Sequence, residues 1–382
     1  MLHKPQSPLS ILEAKLVAAL EVTDMRYSLC CYGDFLDHIP RRLGHNEVLD
    51  ASVDVMIGGL PYHYTREHSS EALAKYSRAL KSLRSSLNRS NQQISPETLS
   101  AIYIIMICQG WLGRTDEYAQ NHGKVLAQLA STAIKQNWGD TFGLQLLEAL
   151  FVPLTLEAMV NPAITMQSWY PLLDPCFPRN SYNKDQHFPT LSLQARRLAQ
   201  MPNFFHDPVR YLDEIKCAYR DLRDDHPRIQ RYLEDLEYQP SPSSESDLNL
   251  KMKLKLIHKF QVVDAVLLTI SIALNSILRR EYPDDNVLLL EASTLANDMI
   301  ALAQTVAQYR PFGASYIPPC LAAVVSHINT KSSSWDHLTR AVGNDKRFNN
   351  PAKRHWGTDS MLSVRLCTYQ VDGSGDLVQV IT

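Results

Sequence analysis

The stretch Ser95–Gly113, SPETLSAIYIIMICQGWLG, decides the fold class of this chain. It opens with a helix start, because Ser95 can accept a hydrogen bond from a free backbone N–H, Pro96 suits the first helical position and Glu97 lies near the positive end of the helix dipole. The residues that follow are apolar on all sides, and Gly113 suits the end of a helix. Isoleucine also favours strands, but a run of this length behind such a cap predicts a helix at the centre of a bundle.

The same helical period occurs on both sides of this stretch. Apolar residues step by three and four, which is the pattern of a helix with one buried face. Such stripes run over residues 73–87, 118–133, 211–222 and 288–306, and a second helix that is apolar on all sides runs over 142–152, where Pro153 is expected to bend or end it. We therefore predict an all-α fold, organised as a single large multi-helix domain.

Three regions depart from the helical pattern. Residues 161–189 are rich in proline and aromatic residues and are predicted to wrap the surface as a loop. Residues 238–247, YQPSPSSESD, are polar and rich in proline and serine, which predicts a surface loop or linker inside the domain. The last twenty residues alternate around VDGSGD at 371–376, which predicts a short hairpin-like C-terminal tail.

The composition limits the classes of protein to consider. The chain has 382 residues, of which 45% are apolar and 20% are charged, so it can bury a sizeable core and is not globally disordered. The 38 Lys and Arg residues balance the 40 Asp and Glu residues, which argues against a nucleic-acid-binding module with a basic footprint. The balance leaves open a protein that reaches DNA through a partner.

Cysteine usage and the longest apolar runs bear on the compartment. Seven cysteines are spread thinly and none forms a C-x-x-C pair, which favours reduced thiols in an intracellular protein. Glu13 and Lys15 interrupt the apolar N-terminal segment, so no signal peptide is apparent. The apolar runs 101–112 and 266–278 are shorter than the roughly 18 residues of a membrane span. We expect a soluble protein without membrane contact.

Candidate metal ligands are few. Cys30 and Cys31 are the only adjacent cysteines, and neighbouring side chains point apart on a helix. His63 and His68 do not form an H-E-x-x-H motif. No structural zinc site is expected from these residues.

Two aspartate pairs resemble the magnesium-binding pairs of helical terpene synthases. These are Asp224-Asp225 and Asp284-Asp285. Such a site needs a third acid one helical turn further on, and here arginine and leucine occupy those places. Helix capping explains the second pair, because it follows Pro283 and precedes an apolar run.

Other catalytic and targeting patterns are weak. The sequence contains neither a phosphate-binding P-loop nor a G-x-S-x-G nucleophile elbow. His122 lies on an apolar stripe, which is more typical of a core histidine than of a catalytic base. Lys346-Arg347 and Lys353-Arg354 are loosely similar to a bipartite nuclear-import signal. We therefore assign no catalytic, cofactor-binding or metal-binding residue.

A series of short motifs follows a fixed order over residues 27–129. They are FLDHIPRRL at Phe35–Leu43, LDASVD at Leu49–Asp54, ALAKYSRAL at Ala72–Leu80, SPETL at Ser95–Leu99, MICQGWLG at Met106–Gly113 and NHG at Asn121–Gly123. In this order and spacing they resemble the regulatory "fungal-specific transcription factor" domain, which follows the six-cysteine binuclear zinc cluster in many fungal regulators. The likeness continues more faintly through residues 147–169.

This resemblance implies an all-α domain, a nuclear setting and control of transcription, commonly of metabolic or secondary-metabolite gene clusters. In the family such domains serve regulation, dimerisation and contacts with partners or effectors. The resemblance supplies no accepted catalytic residue. The family's six-cysteine DNA reader does not occur in this sequence, so we expect either a fragment of a longer factor or a co-regulator.

The predicted organisation is an N-terminal helical extension at 1–26, a regulatory domain at 27–358 with the internal linker 238–247, and a tail at 359–382. The expected partner is a DNA-binding transcription factor or a second copy of the chain, with a small-molecule effector as a further ligand. We expect no cofactor and no direct nucleic-acid binding. Two alternatives remain, a helical biosynthetic enzyme with a closed apolar pocket and a protein-interaction scaffold with an exposed apolar patch.

Overall fold

The computed structural model describes residues 7–65, 69–88, 94–111, 122–136, 138, 140–169, 192–193, 195–238, 247–318, 320–321, 369–371 and 377–379. The helices are α1 Pro8–Leu20, α2 Glu47–Thr65, α3 Ser70–Leu87, α4 Pro96–Trp111, α5 His122–Lys135, α6 Thr141–Val160, α7 Ala195–Leu198, α8 Met201–His206, α9 Leu212–Tyr238, α10 Asp247–Glu281 and α11 Asn286–Val306. Short 3-10 turns cover Met25–Tyr27, Cys30–Tyr32, Asp34–His38, Pro40–Arg42, Gln167–Trp169 and Ala307–Tyr309. The predicted all-α class is confirmed.

Helix α4 is a central element, as its sequence predicts. The Ser95 hydroxyl accepts a hydrogen bond from the Thr98 backbone N–H at 3.2 Å, which caps the helix. Apolar side chains are buried around the whole circumference, including Leu99 and Ile104. Among the described elements, α2, α3, α5 and α6 all contact α4. Gly113, the predicted helix end, lies outside the described residues.

The long helices form two groups that share one core. Helices α2, α3, α5 and α6 pack around α4, α1 packs against α2, and α10 packs between α9 and α11. The turns at 25–42 connect the groups, because Cys30–Tyr32 contacts α10 while Asp34–His38 contacts α6. Buried apolar side chains form one cluster that extends from Leu16 to Leu321.

Helix α6 continues past its proline. Pro153 was predicted to bend or end the helix, yet α6 runs on to Val160. A proline in a helix interior lacks one N–H and crowds the preceding turn, at a cost of about 3 kcal/mol. Pro153 and its neighbour Leu154 are both buried, so packing on this segment offsets that cost.

The first part of the predicted loop at 161–189 is irregular, apart from the 3-10 turn at Gln167–Trp169, but it does not lie only on the surface. Trp169 is 1% exposed, and its ring lies 5.8 Å from that of Phe151 in α6. An indole of this size gains more from burial than from exposure, so this part of the segment belongs to the core. The remainder of the predicted loop is outside the described residues, except for the two positions 192–193 that follow it.

The tail contains the predicted strand pair, and the predicted linker at 238–247 falls between two helices. Helix α9 ends at Tyr238 and α10 begins at Asp247, while residues 239–246 are not among those described. Strands β1 Tyr369–Val371 and β2 Leu377–Gln379 pair antiparallel, with Val371 opposite Leu377. The short hairpin is therefore present in the tail.

Two helical segments are long and apolar enough to cross a membrane by length and composition alone. They are Thr141–Met159 in α6 and Met252–Glu281 in α10. Within the most apolar part of each segment, 56% and 83% of the residues are buried inside the bundle, the burial expected of core helices.

Candidate functional site

A cleft of about 390 Å³ lies where the turns at 28–38 meet α6 and the N-terminal half of α10. Its apolar wall includes Leu29, Met252 and Leu256. Polar groups that reach the cleft include Cys30 and Lys255. The cleft is half open to solvent, which differs from the closed pocket expected for a helical enzyme.

Cys30 and His258 face each other at the edge of this cleft. The Cys30 Sγ lies 3.6 Å from His258 Nδ1, although the two residues are 228 positions apart in the chain. Cys30 is half-buried, whereas His258 is only 1% exposed. The sulfur therefore stands between the open cleft and a buried imidazole.

The other nitrogen of His258 fixes the state of the ring. His258 Nε2 donates a hydrogen bond to the Gly313 carbonyl oxygen, which can only accept. In the neutral ring Nδ1 is therefore unprotonated and can take the thiol proton of Cys30. In the charged ring Nδ1 donates to the thiolate instead.

The surroundings hold the imidazole in place. The rings of Tyr309 and Tyr316 meet it edge-on, with centroids at 6.0 and 5.7 Å. Gly313 has no room for a side chain, because a Cβ there would lie 2.4 Å from the Met25 carbonyl oxygen. The glycine thus allows the close approach that places its carbonyl against His258.

The two groups shift each other's ionisation. Burial by itself raises the pKa of Cys30, but the hydrogen bond and charge of His258 and the charge of Lys255 outweigh it, so the pKa is lowered. Burial by itself lowers the pKa of His258, but the hydrogen bond and charge of Cys30 outweigh it, so this pKa is raised. Both shifts favour a thiolate–imidazolium pair.

Cys31 has the opposite environment. Its Sγ points to the Ser315 hydroxyl at 3.6 Å and the Phe312 carbonyl at 3.8 Å, away from His258. Burial raises the pKa of the Cys31 thiol well above its ordinary value. Adjacent cysteines therefore point apart, as predicted, and only Cys30 is activated.

The aspartate pairs have structural roles. The Asp225 carboxylate is buried, accepting from the Ser192 backbone N–H at 2.7 Å and from Arg228 at 2.9 Å. Asp285 accepts from the Val287 and Leu288 backbone N–H groups and caps α11, as the sequence predicts. Within the described residues, no group of three or more potential ligands is arranged to hold a metal ion.

A second buried cluster surrounds His226. Its Nδ1 lies 2.8 Å from Asp264 and its Nε2 lies 3.3 Å from Asp298, so the imidazole connects α9, α10 and α11. Burial lowers the pKa of His226, but the hydrogen bonds that its ring donates to Asp264 and Asp298 outweigh it and raise the pKa to about 9. No motif in the sequence points to this histidine. With every polar atom of its ring engaged, it is a structural ion-pair centre.

Several sequence candidates fall outside what is described. The side chains of His63 and His122, the residue His68 and the basic pairs at 346–354 are among them. His258 stands in the mixed apolar and basic segment LKLIHKF of α10, and no sequence pattern pointed to it. Its apolar neighbours Leu256 and Ile257 were the available signal of burial, but the sequence could not show that Cys30 lies opposite.

No family model, curated protein or solved structure matches this chain. Two features of the molecule bear on its function, the cleft with its Cys30–His258 pair and the contacts between the motif residues.

Proposed function

We propose that this chain is a transcription-regulator-like protein that acts in the nucleus through a DNA-binding partner. It would control a metabolic or secondary-metabolite gene cluster, either as a co-regulator or as part of a longer factor. The partner is a DNA-binding transcription factor or a second copy of the chain. The single observation that carries the proposal is that the motifs of the resemblance pair with one another in space.

Two ion pairs connect these motifs. Arg42, at the end of the first motif, donates to Glu97 in the fourth at 2.8 Å. Lys75, in the third motif, donates to Asp54 in the second at 2.8 Å. These contacts join positions 55 and 21 residues apart in the chain, and they connect the turn at Pro40–Arg42 to α4 and helix α3 to α2.

Neutral contacts connect motif residues to residues that lie outside the motifs. The Phe35 ring lies 5.7 Å from the Tyr103 ring, and Asn46 donates to the Thr98 hydroxyl at 3.3 Å. The Trp111 indole donates to the Tyr32 hydroxyl at 3.0 Å. Motifs that fit together as one helical module support the proposal that the resemblance reflects a shared regulatory architecture.

Deleting the gene in the native host, followed by transcript and metabolite profiling of the same cultures, tests this proposal. We expect a set of genes to fall silent together and their product to disappear. Reintroduction of the wild-type gene should restore both. Steady transcripts with one accumulating intermediate would contradict a regulatory role.

The second candidate function is a helical enzyme, and the Cys30–His258 pair at a cleft is the observation that favours it. A paired thiol and imidazole are the parts of a nucleophile and its base. A Cys30→Ser allele separates the candidates. An enzyme would accumulate the same intermediate as the deletion strain, whereas a regulator that does not use the thiol would keep normal transcripts and product.

A further inference from the structure

The Cys30–His258 pair combines a thiol with an imidazole, which is the arrangement of a reactive cysteine. The proposed regulation through a partner does not require such a pair. The sulfur lies 3.6 Å from Nδ1, and Nε2 is occupied by the Gly313 carbonyl. A thiolate is the reactive form of cysteine, and an adjacent imidazolium stabilises it. Cys30 is also the activated member of the Cys30–Cys31 pair, because the Cys31 sulfur faces Ser315.

The cleft beside Cys30 has the volume of a small-molecule site and a lining that is partly apolar and partly charged. Its volume of about 390 Å³ falls within the range of ligand pockets, roughly 300–1,000 Å³. Leu20, Leu29 and Leu256 give it an apolar wall.

We propose that this cleft captures an α,β-unsaturated carbonyl compound with an apolar chain and that Cys30 binds it covalently as a thioether. The apolar wall would hold the chain, and the sulfur at the edge of the cleft would meet the reactive carbon. This inference does not depend on the regulatory function proposed above, since it concerns the chemistry of one site.

The addition balances with the two side chains alone. The Cys30 thiolate forms a bond from Sγ to the β-carbon of the ligand, and the electron pair of the C=C bond moves into the carbonyl system as an enolate. His258 gives its Nδ1 proton to the α-carbon and becomes neutral. No group leaves, and no external oxidant or reductant is needed.

Several charged or titratable groups surround this pair and enter its pH dependence. Cys31 adjoins Cys30 and Lys255 acts on its charge, while the Tyr309 and Tyr316 rings face His258. Further charged or titratable groups line the adjacent cleft, namely Asp34, Asp37, His38 and Lys259. Lys259 is paired with Asp34 at 2.7 Å. Lys255 acts directly on Cys30, so its charge favours both the thiolate and the enolate.

Alkylation of the full chain by N-ethylmaleimide, an α,β-unsaturated carbonyl probe, tests the reactivity. At pH 6.5 an ordinary thiol is only about 1% ionised, so we expect Cys30 to react at least about tenfold faster than glutathione. Peptide mass spectrometry identifies the modified cysteine. A Cys30 rate equal to that of glutathione would overturn the proposal.

Matched variants separate the pair from simple exposure. Cys31→Ser and Cys217→Ser should leave the fast reaction intact, whereas Cys30→Ser should remove it. His258→Asn should lower the Cys30 rate at pH 6.5 toward that of glutathione. If this variant does not fold, Lys255→Gln replaces it and should slow Cys30 at pH 6.5 but not at pH 9.5. An unchanged Cys30 rate in the folded His258 variant, or in Lys255→Gln, would contradict the mechanism.

A comparison of two electrophiles tests the class of ligand. trans-2-Nonenal carries an apolar chain and acrylamide does not, and both rates are divided by the corresponding rates with glutathione. We expect the normalised Cys30 rate to be about tenfold higher for trans-2-nonenal than for acrylamide. The reason is that burying the alkyl chain against the cleft wall adds binding energy at about 0.8 kcal/mol per CH₂. Equal ratios would show a reactive thiol without a ligand site and would overturn this part of the proposal.

Discussion

At the scale of single residues, His226 shows how three helices can meet around one charge. Its imidazole lies between Asp264 of α10 and Asp298 of α11. The ring is charged at neutral pH because both carboxylates favour the protonated form. A buried carboxylate such as Asp264 would be costly without this cation.

The pH dependence of stability follows from the His226 pKa. That pKa is about 9 in the folded chain and 6.5 ordinarily, so the stabilisation is complete below pH 6.5 and is lost as the pH rises through 9. We expect His226→Gln to lower the free energy of unfolding, and the difference from wild type to shrink by about 3 kcal/mol between pH 6 and pH 10. Urea unfolding at the two pH values measures this. For Asp298→Asn, the difference in unfolding free energy from wild type should also shrink between these pH values, but by less. A pH-independent difference for His226→Gln would refute the interpretation of His226 as a charged centre.

At the scale of the element, the capping residues were the features that the sequence predicted best. Ser95 and Asp285 both accept hydrogen bonds from backbone N–H groups of the helices that they precede, as predicted. Prolines predicted helix ends less well, because α6 and α9 contain Pro153 and Pro227 in their interiors. A cap depends on a few neighbouring residues, whereas the fate of an interior proline depends on packing against distant helices.

The α11 cap can be tested with its neighbour as the control. Asp285→Ala removes the acceptor for Val287 and Leu288 and should lower the free energy of unfolding by about 1 kcal/mol. Asp284→Ala, at the adjacent exposed position, should change it by less than about 0.5 kcal/mol. Chemical denaturation of the three proteins gives both values. Equal losses would mean that the pair stabilises the helix by charge and not by capping.

At the scale of the whole molecule, the sequence could predict the helices and the central position of α4, but not the site. Periodicity is a local property, and it located α3, α4 and α11 well. The Cys30–His258 pair depends on the meeting of a turn, the middle of α10 and the Gly313 segment, and no spacing in the sequence encodes that meeting. The apolar stripes of the helices do not show which helix faces contact one another, so the sequence did not predict the burial of Trp169 either.

The junction near Gly313 also connects the two groups of helices. The Phe312 side chain is fully buried, its ring lies 5.0 Å from that of Trp111 in α4, and its backbone N–H donates to the Arg26 carbonyl at 3.0 Å. The residues that join the groups therefore belong to the same continuous core as the helices on either side. Because the two groups of helices share this core, we expect them to unfold together.

We expect Phe312→Ala to lower the free energy of unfolding by about 3–5 kcal/mol while the transition remains single. The reason is that the lost ring leaves a cavity in a core that both groups share, so both lose stability at once. Far-UV circular dichroism and tryptophan fluorescence, followed together during urea unfolding, should give coincident curves. Leu290→Ala, at a position that is 70% exposed, is the control and should leave the midpoint nearly unchanged. Two separated transitions in wild type or in Phe312→Ala would mean that the groups are independent domains and that the cleft between the turns, α6 and α10 lies at a domain boundary.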